Sequence, residues 1–224
     1  MSVPMRRFAI IGLGRFGSTL ATALAERGAD VVAIDSDPAR VEAVAEVVAV
    51  AACGDATHER FLAANGVDRA DVAIVGMGNA FEATQLCLLA LKELGVPRVI
   101  TKSPLEVQAR ILEAIGADEV ISPERESALR LVQRLLAPNL IDYVELAGGN
   151  GPSGLGVAHL PVPADWIGKS ILQLDIRRSF GVQILVVEEK GRGPGSLAAL
   201  ERPFQPDDVL IVLGEQQAIE RLAS

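Results

Sequence analysis

The chain has 224 residues, half of them apolar but only 4% aromatic, and its 21 Lys plus Arg against 29 Asp plus Glu give a formal charge of -8. That length supports a full hydrophobic core without staples. The acidic balance, with no Lys/Arg cluster, argues against a nucleic-acid partner and against direct attachment to a membrane surface, since both call for basic side chains.

The opening MSVPMRR imitates the basic start of a signal peptide, but Arg15 interrupts the run behind it, and no later stretch approaches the about 18 apolar residues of a membrane span. Cys53 and Cys87 are too far apart for a CxxC pair and imply a reducing compartment. The expectation is a cytoplasmic protein with no segment inserted in the membrane. Short apolar runs predict strands at Phe8–Ile11, Val31–Asp35, Val47–Ala51, Val72–Val75, Val99–Lys102 and Glu119–Ser122, with helices between them. Strands alternating with crossover helices read as one doubly wound parallel sheet. Gly28 stands where a helix C-cap is expected, and Asp35 falls at the tip of the second strand. The helix over Ser127–Leu136 carries Leu129, Leu131, Val132, Leu135 and Leu136, more apolar positions than one sheet-facing stripe requires, and predicts a contact between subunits.

Beyond Pro138 the pattern changes to Tyr143–Leu146, Val157–Val162, a helix over Ser170–Phe180, strands at Val182–Val187 and Val209–Leu213, and a terminal helix over Glu215–Leu222. Gly148–Gly156 and Gly191–Ser196 read as loops. The expected organisation is therefore a Rossmann-like domain over 1–137 and a small α+β lobe over 138–224, thin enough to lean on a symmetry mate.

The chemistry concentrates in the first domain. Gly12, Gly14 and Gly17 form G-x-G-x-x-G directly after a strand and at the head of a helix, where a pyrophosphate rests on backbone N–H groups. Asp35 follows Gly14 by 21 residues, at the place where a carboxylate accepts from ribose hydroxyls and repels a 2′-phosphate. Ser36 and Asp37 bring no arginine, which disfavours NADP. A glycine-lined corner without ligand is the alternative. Arg15, at the mouth of the loop beside Phe16, is either a cap for extra phosphate charge or an exposed helix-start residue. His58 and His159 stand without a carboxylate or cysteine at ligand spacing and read as ordinary structural or surface residues, while Met77 and Cys87 read as core filling.

The run FAIIGLGRFGSTLATAL, the Asp35 tip, GDATHERFL, the pair Gly78–Asn79, VITK and IGADEVISPERE together resemble the RCK family, the cytosolic regulatory subunits of Ktr/Trk-type bacterial potassium uptake systems. The residues after Pro138 resemble that family's C-terminal lobe. The resemblance implies a homo-octameric ring docked on a potassium-translocating membrane subunit, changing shape with bound ATP, ADP or NAD(H). It implies that Gly12, Gly14, Phe16 and Gly17 form the phosphate loop, and that Asp35 and Ser36 lie at the ribose. Asp55, Ala56, Thr57, Gly78 and Asn79 complete the nucleotide site. It also implies that Arg15 reaches a terminal phosphate, that Lys102 edges the pocket, and that Glu124 serves an intersubunit site for Mg²⁺ or Ca²⁺.

Each of these has an ordinary alternative in the residues: GDAT as a turn, Lys102 as a strand-end charge, and Ser122-Pro123-Glu124 as the start of a helix. In the second lobe Ile171, Leu172, Asp175 and Arg177 keep a pattern that in some members binds cyclic di-AMP, although Gln183 replaces the asparagine of those binders. An amphipathic helix followed by a buried strand explains the same residues. The expected role is a sensor rather than an enzyme. The alternative, an NAD-dependent oxidoreductase, needs a proton donor beside the nicotinamide, and the second lobe offers His159 and scattered carboxylates.

Overall fold

The computed structural model describes residues 6–77, 80–136, 139–147, 154–189, 196–197 and 200–223. These form two compact units, Met1–Glu126 and Ser127–Ser224. The boundary expected at 137/138 falls on residues outside those described.

The first unit contains β1 (Arg7–Ile11), α1 (Arg15–Glu26), β2 (Asp30–Asp35), α2 (Pro38–Glu42), β3 (Val50–Cys53), α3 (Glu59–Ala64), β4 (Val72–Val75), α4 (Phe81–Glu93), β5 (Arg98–Lys102), α5 (Glu106–Ile115) and β6 (Glu119–Ile121). The strands form one parallel sheet in the order β3-β2-β1-β4-β5-β6, so the chain reverses direction across the sheet between β1 and β4. Residues alternate cleanly between the two faces, as the pleat requires. Ala9, Ile11, Val32, Ile34, Ala73 and Val75 pack with Leu62, Leu88, Leu91 and Leu112 of α3, α4 and α5. Ile10, Val31, Ala33 and Ile74 pack with Ala21 and Val41 of α1 and α2. Both faces are covered, which is why the strands read as unbroken apolar runs.

The expected strand at Val47–Ala51 begins later, at Val50. Val44 and Val48 instead fill the core beneath α2, and the backbone still turns there through bonds such as Val47 N–H to Val44 O at 3.0 Å. Gly28 adopts φ +81 just past the end of α1, the C-cap expected of it.

Helix α6 runs over Pro123–Leu136, with Glu124 and Glu126 in its first turn. Leu129, Leu131, Val132 and Leu135 on it are exposed. The second unit adds β7 (Asp142–Ala147), β8 (Leu155–Pro161), α7 (Ile171–Leu174), α8 (Ile176–Phe180), β9 (Val182–Glu188), β10 (Ser196–Leu197), β11 (Val209–Glu215) and α9 (Gln216–Ala223). Its antiparallel sheet has the order β10-β9-β11-β8-β7. One face packs on Trp166, Ile176, Phe204 and Ile219, with the Trp166 and Phe180 rings 4.7 Å apart.

Two expectations here are corrected. The helix expected over Ser170–Phe180 is broken at Asp175, whose left-handed φ of 44 splits it into α7 and α8. The break lets Ile176 enter the core while Leu172 stays outside. Leu155, Gly156 and Ser196, read as loop, belong instead to strands, the first two to β8 and Ser196 to the short edge strand β10 against β9. On the β7–β8 pair, Tyr143 lies opposite Ala158, and its ring covers Gly156 so closely that a Cβ there would stand 2.4 Å from the ring. Among the described residues, no helix is long and apolar enough to cross a membrane.

Candidate functional site

The C-terminal ends of the six parallel strands bring the predicted residues of the first unit to one edge. Gly12 to Gly17 follow β1, Asp35 ends β2, Asp55 to Thr57 follow β3, Lys102 ends β5 and Glu124 follows β6. The glycine loop therefore lies at the point where strand order reverses, the usual ligand crevice of such sheets. Gly78 and Asn79 lie outside the described residues.

The three loop glycines are needed for different reasons. Gly12 has φ +89, and a Cβ there would meet Met77 at 2.9 Å. At Gly17 a Cβ would stand 1.9 Å from the Gly12 carbonyl oxygen, so helix and strand pack only because no side chain intervenes. Gly14 is constrained by neither. Its φ of -63 and ψ of -175 suit any residue, and a Cβ would find no atom within 4 Å. It is the N-cap of α1, which has no side-chain capping bond and no acid in its first turn. An uncapped helix start with open space before it fits a phosphate group.

Asp35 is buried and already engaged. Leu13 N–H donates to its Oδ2 at 2.6 Å and Asp37 N–H to its Oδ1 at 2.9 Å. Oδ1 keeps one further lone-pair direction, enough for a ribose hydroxyl. The carboxylate thus has a structural role that the sequence does not reveal, tying the glycine loop to the end of β2. Arg40, from the first turns of α2, places Nη1 3.5 Å from Asp35 Oδ2 and Nε 3.4 Å from Asp37 Oδ2. Positions 36 and 37 carry no arginine, but Arg40 brings one to the same strand end. The signal was present: Asp37 caps α2 by accepting from Ala39 N–H at 3.0 Å and Pro38 follows it, so a helix start there returns Arg40 over the strand end.

Asp55 closes a turn on itself, accepting from the Thr57 N–H at 2.9 Å and from its hydroxyl at 2.8 Å. Those two bonds hold its carboxyl below the usual aspartate value. Ala56 is buried in the core beneath. His58 has a carboxylate partner after all, Asp55 at 3.6 Å, and His159 has Glu188 at 3.1 Å, which corrects the reading of both as isolated. Cys87 is fully buried as expected, and burial pushes its thiol up to about 12.

Lys102 donates to Glu124 Oε1 at 2.5 Å, and its Nζ lies 6.0 Å from the Phe16 ring centroid. That bond comes first among the causes holding the Glu124 carboxyl below its ordinary range, with Arg15 a further positive neighbour. Arg15, Phe16, Lys102 and Glu124 therefore form one cluster beside the glycine loop. Among the described residues no group of three His, Cys, Asp or Glu side chains could hold a metal ion. A cation at Glu124 thus requires ligands from elsewhere.

Comparison with known proteins gives this edge a family. A model described as the TrkA-N domain matches residues 8–123, all of the six-stranded sheet but Arg7, and one described as the TrkA-C domain matches 158–224. The chain belongs to the TrkA-N/TrkA-C family. Ktr system potassium uptake protein C of Bacillus subtilis is 34% identical over 216 residues, covering 96% of this chain and 95% of that one. Ktr system potassium uptake protein A of Vibrio alginolyticus is 32% identical over 216 residues, covering 96% and 94%.

Among solved structures, the RCK domain of GsuK aligns with a TM-score of 0.61 at 22% identity over 98% of this TrkA-N/TrkA-C chain. A GsuK channel bound to NAD aligns with the same score and identity. The chain spans about half the length of the first, 48%, and 40% of the second, and these likenesses concern the fold alone. The resemblance to the Ktr/Trk potassium uptake proteins is borne out by the two domain matches and by these relatives.

In the TrkA-C unit, Leu172, Asp175 and Arg177 are exposed and Ile171 is half-buried. Leu172 is further tied by its N–H to Leu200 O at 3.1 Å. A separate cleft of about 400 Å³ is lined by Glu188, Glu189, Asp207 and Asp208. Burial would raise the Asp208 carboxyl, but bonds from Arg202 at 2.7 Å and Gln205 N–H at 2.8 Å overcome it and hold the group below its usual value.

Proposed function

We propose that this chain is a nucleotide-sensing regulatory subunit of a potassium-transporting membrane protein. A nucleotide sits on the α1 N-terminus with its ribose on Asp35. The observation that carries the reading is Gly14, a residue whose missing side chain no packing or backbone constraint explains and which faces an uncapped helix start. The names of the Ktr relatives supply the potassium system, and their nearly full-length match to this chain supports a similar role.

On this reading the chain binds ATP, ADP or NAD(H), and ligands that favour different shapes of an oligomeric ring, eight subunits by resemblance, shift the transporter between states. The exposed apolar stripe of α6 supports assembly with further copies. Lys102 and Arg15 answer phosphate charge. Glu124 joins a site for Mg²⁺ or Ca²⁺ completed by a second subunit. Cyclic di-AMP is a candidate ligand of the TrkA-C unit. The protein acts in the cytoplasm and reaches the membrane through its partner.

The test is calorimetric titration with ATP, ADP, NADH and 2′-deoxy-ADP of the wild type and Asp35→Asn, with NADH oxidation followed in the presence of carbonyl substrates. Binding without turnover is expected. The variant should weaken ADP strongly and 2′-deoxy-ADP little further, because both changes remove one hydrogen bond. Turnover, or equal ADP affinity in both proteins, would overturn the assignment.

A further inference from the structure

Arg40 is the residue at this edge that neither the fold nor the phosphate loop accounts for. Its side chain is 54% exposed, yet it is drawn back between Asp35 and Asp37 rather than extended into water. Asp37 uses one oxygen to cap α2 and the other to pair with Arg40. Asp35 meets the guanidinium at ion-pair range on the same oxygen that accepts from Leu13 N–H. The planar cation is thus held against the carboxylate that would accept the ribose.

Covalent geometry then decides what Arg40 meets. In a ribonucleotide the 2′-hydroxyl is on the carbon next to C1′, and C1′ carries the base. A ribose bonded to Asp35 therefore brings its base near that carboxylate, and the guanidinium lies against the same carboxylate, within reach of the base. Two kinds of group could take a guanidinium there: the face of an aromatic base, or a 2′-phosphate. Asp35 and Asp37 against Arg40 leave the spot with one net negative charge, and the two backbone bonds prevent Asp35 from swinging away. A phosphate dianion is repelled by such a site. A neutral, flat base is not, and a weakly hydrated guanidinium stacks readily on it.

We infer that Arg40 is the base-reading residue of the nucleotide site, lying against the face of the base while Asp35 holds the ribose. This rests on the assignment of the Gly12 to Asp35 edge as that site. The experiment compares ADP with ribose 5-diphosphate, which keeps sugar and phosphates but lacks the base, on the full-length wild type, Arg40→Ala and Arg40→Lys. Arg40→Ala should weaken ADP about tenfold, the size of one stacked base, and leave ribose 5-diphosphate unchanged. Arg40→Lys, which keeps the charge but not the plane, should recover only part of the loss.

An equal change for both ligands would overturn the inference and make Arg40 a partner of Asp35 or the phosphates. So would full recovery by lysine, or a wild type that prefers NADP to NAD and loses that preference in Arg40→Ala. Failure of wild-type protein to bind ADP, or ADP affinity that Asp35→Asn leaves intact, overturns the site assignment itself and the role of Arg40 with it. That result appears before any Arg40 variant is compared.

Discussion

Replacing Gly14 and Gly17 by alanine, one at a time, separates ligand binding from packing within a single loop. At Gly17 the added carbon would lie 1.9 Å from the Gly12 carbonyl oxygen, far inside contact distance, so β1 and α1 must move apart. Overpacking of a tight core costs about 1–3 kcal/mol and more when backbone is the obstacle, so about 3 kcal/mol is expected. With an unfolding entropy of about 2.1 cal/mol/K per residue, that lowers the melting temperature of the Met1–Glu126 unit by about 11 °C.

At Gly14 the added carbon meets no atom within 4 Å, and the backbone is one that alanine adopts. The gain of about 0.4–1 kcal/mol from a stiffer unfolded chain offsets the poorer N-cap, so stability should stay within about 1 kcal/mol of wild type. Nucleotide affinity should nevertheless fall at least about tenfold, equivalent to about 1.4 kcal/mol, because the methyl group occupies the approach of the phosphates. Scanning calorimetry without ligand and titration with ADP give the two readouts. The reasoning fails if Gly14→Ala binds ADP like wild type, or if it melts as early as Gly17→Ala.

The cluster on the other side of the loop has its own tests. Arg15→Ala should reduce ATP affinity more than ADP affinity, and Glu124→Gln should abolish any enhancement of ATP binding by Mg²⁺, both read by titration with and without the metal; equal losses for the two nucleotides at Arg15 would make it a general anchor. Asp208→Asn should lower stability at pH 7 by about 1–3 kcal/mol, since it removes the charge-assisted bonds from Arg202 while Glu189 still pairs with that arginine at 3.2 Å. The folded-state value of Asp208 lies below its ordinary 3.8, so this advantage is complete above that pH and lost as pH falls through the lower folded value. Urea melts from pH 7 to pH 2 would contradict this if the gap between the two proteins stayed constant.

What could be read from the sequence was whatever depends on one residue and its near neighbours. Val72–Val75 is a strand at the expected bounds because its run is apolar on both faces and closed by Gly76. Gly12, Gly14, Gly17 and Asp35 were legible as a set because spacing along one strand-helix-strand unit fixes where each arrives. That the three glycines serve different ends was not legible, since it depends on which atoms stand opposite. The hydrogen bonds of Asp35 to Leu13 and Asp37, and the bond from Lys102 to Glu124 across 22 residues, likewise need the sheet to bring them together. Asp175 hid the break between α7 and α8, because an aspartate in the left-handed region leaves no composition signal of the kind a glycine would.

The ring of Tyr143 over Gly156 bears on how the second sheet avoids mispairing. The sequence joining β7 to β8, GGNGPSG, is longer than the two-residue turns that dictate hairpin alignment, so alignment has to come from side chains. A shift of one position would bring Leu155 or Val157 beneath the ring in place of the only residue there without a Cβ, and would exchange the inner and outer faces of an outermost strand. One aromatic ring and one missing methyl group thus act as a key and its notch, and they do so on an edge strand that pairs with β8 alone.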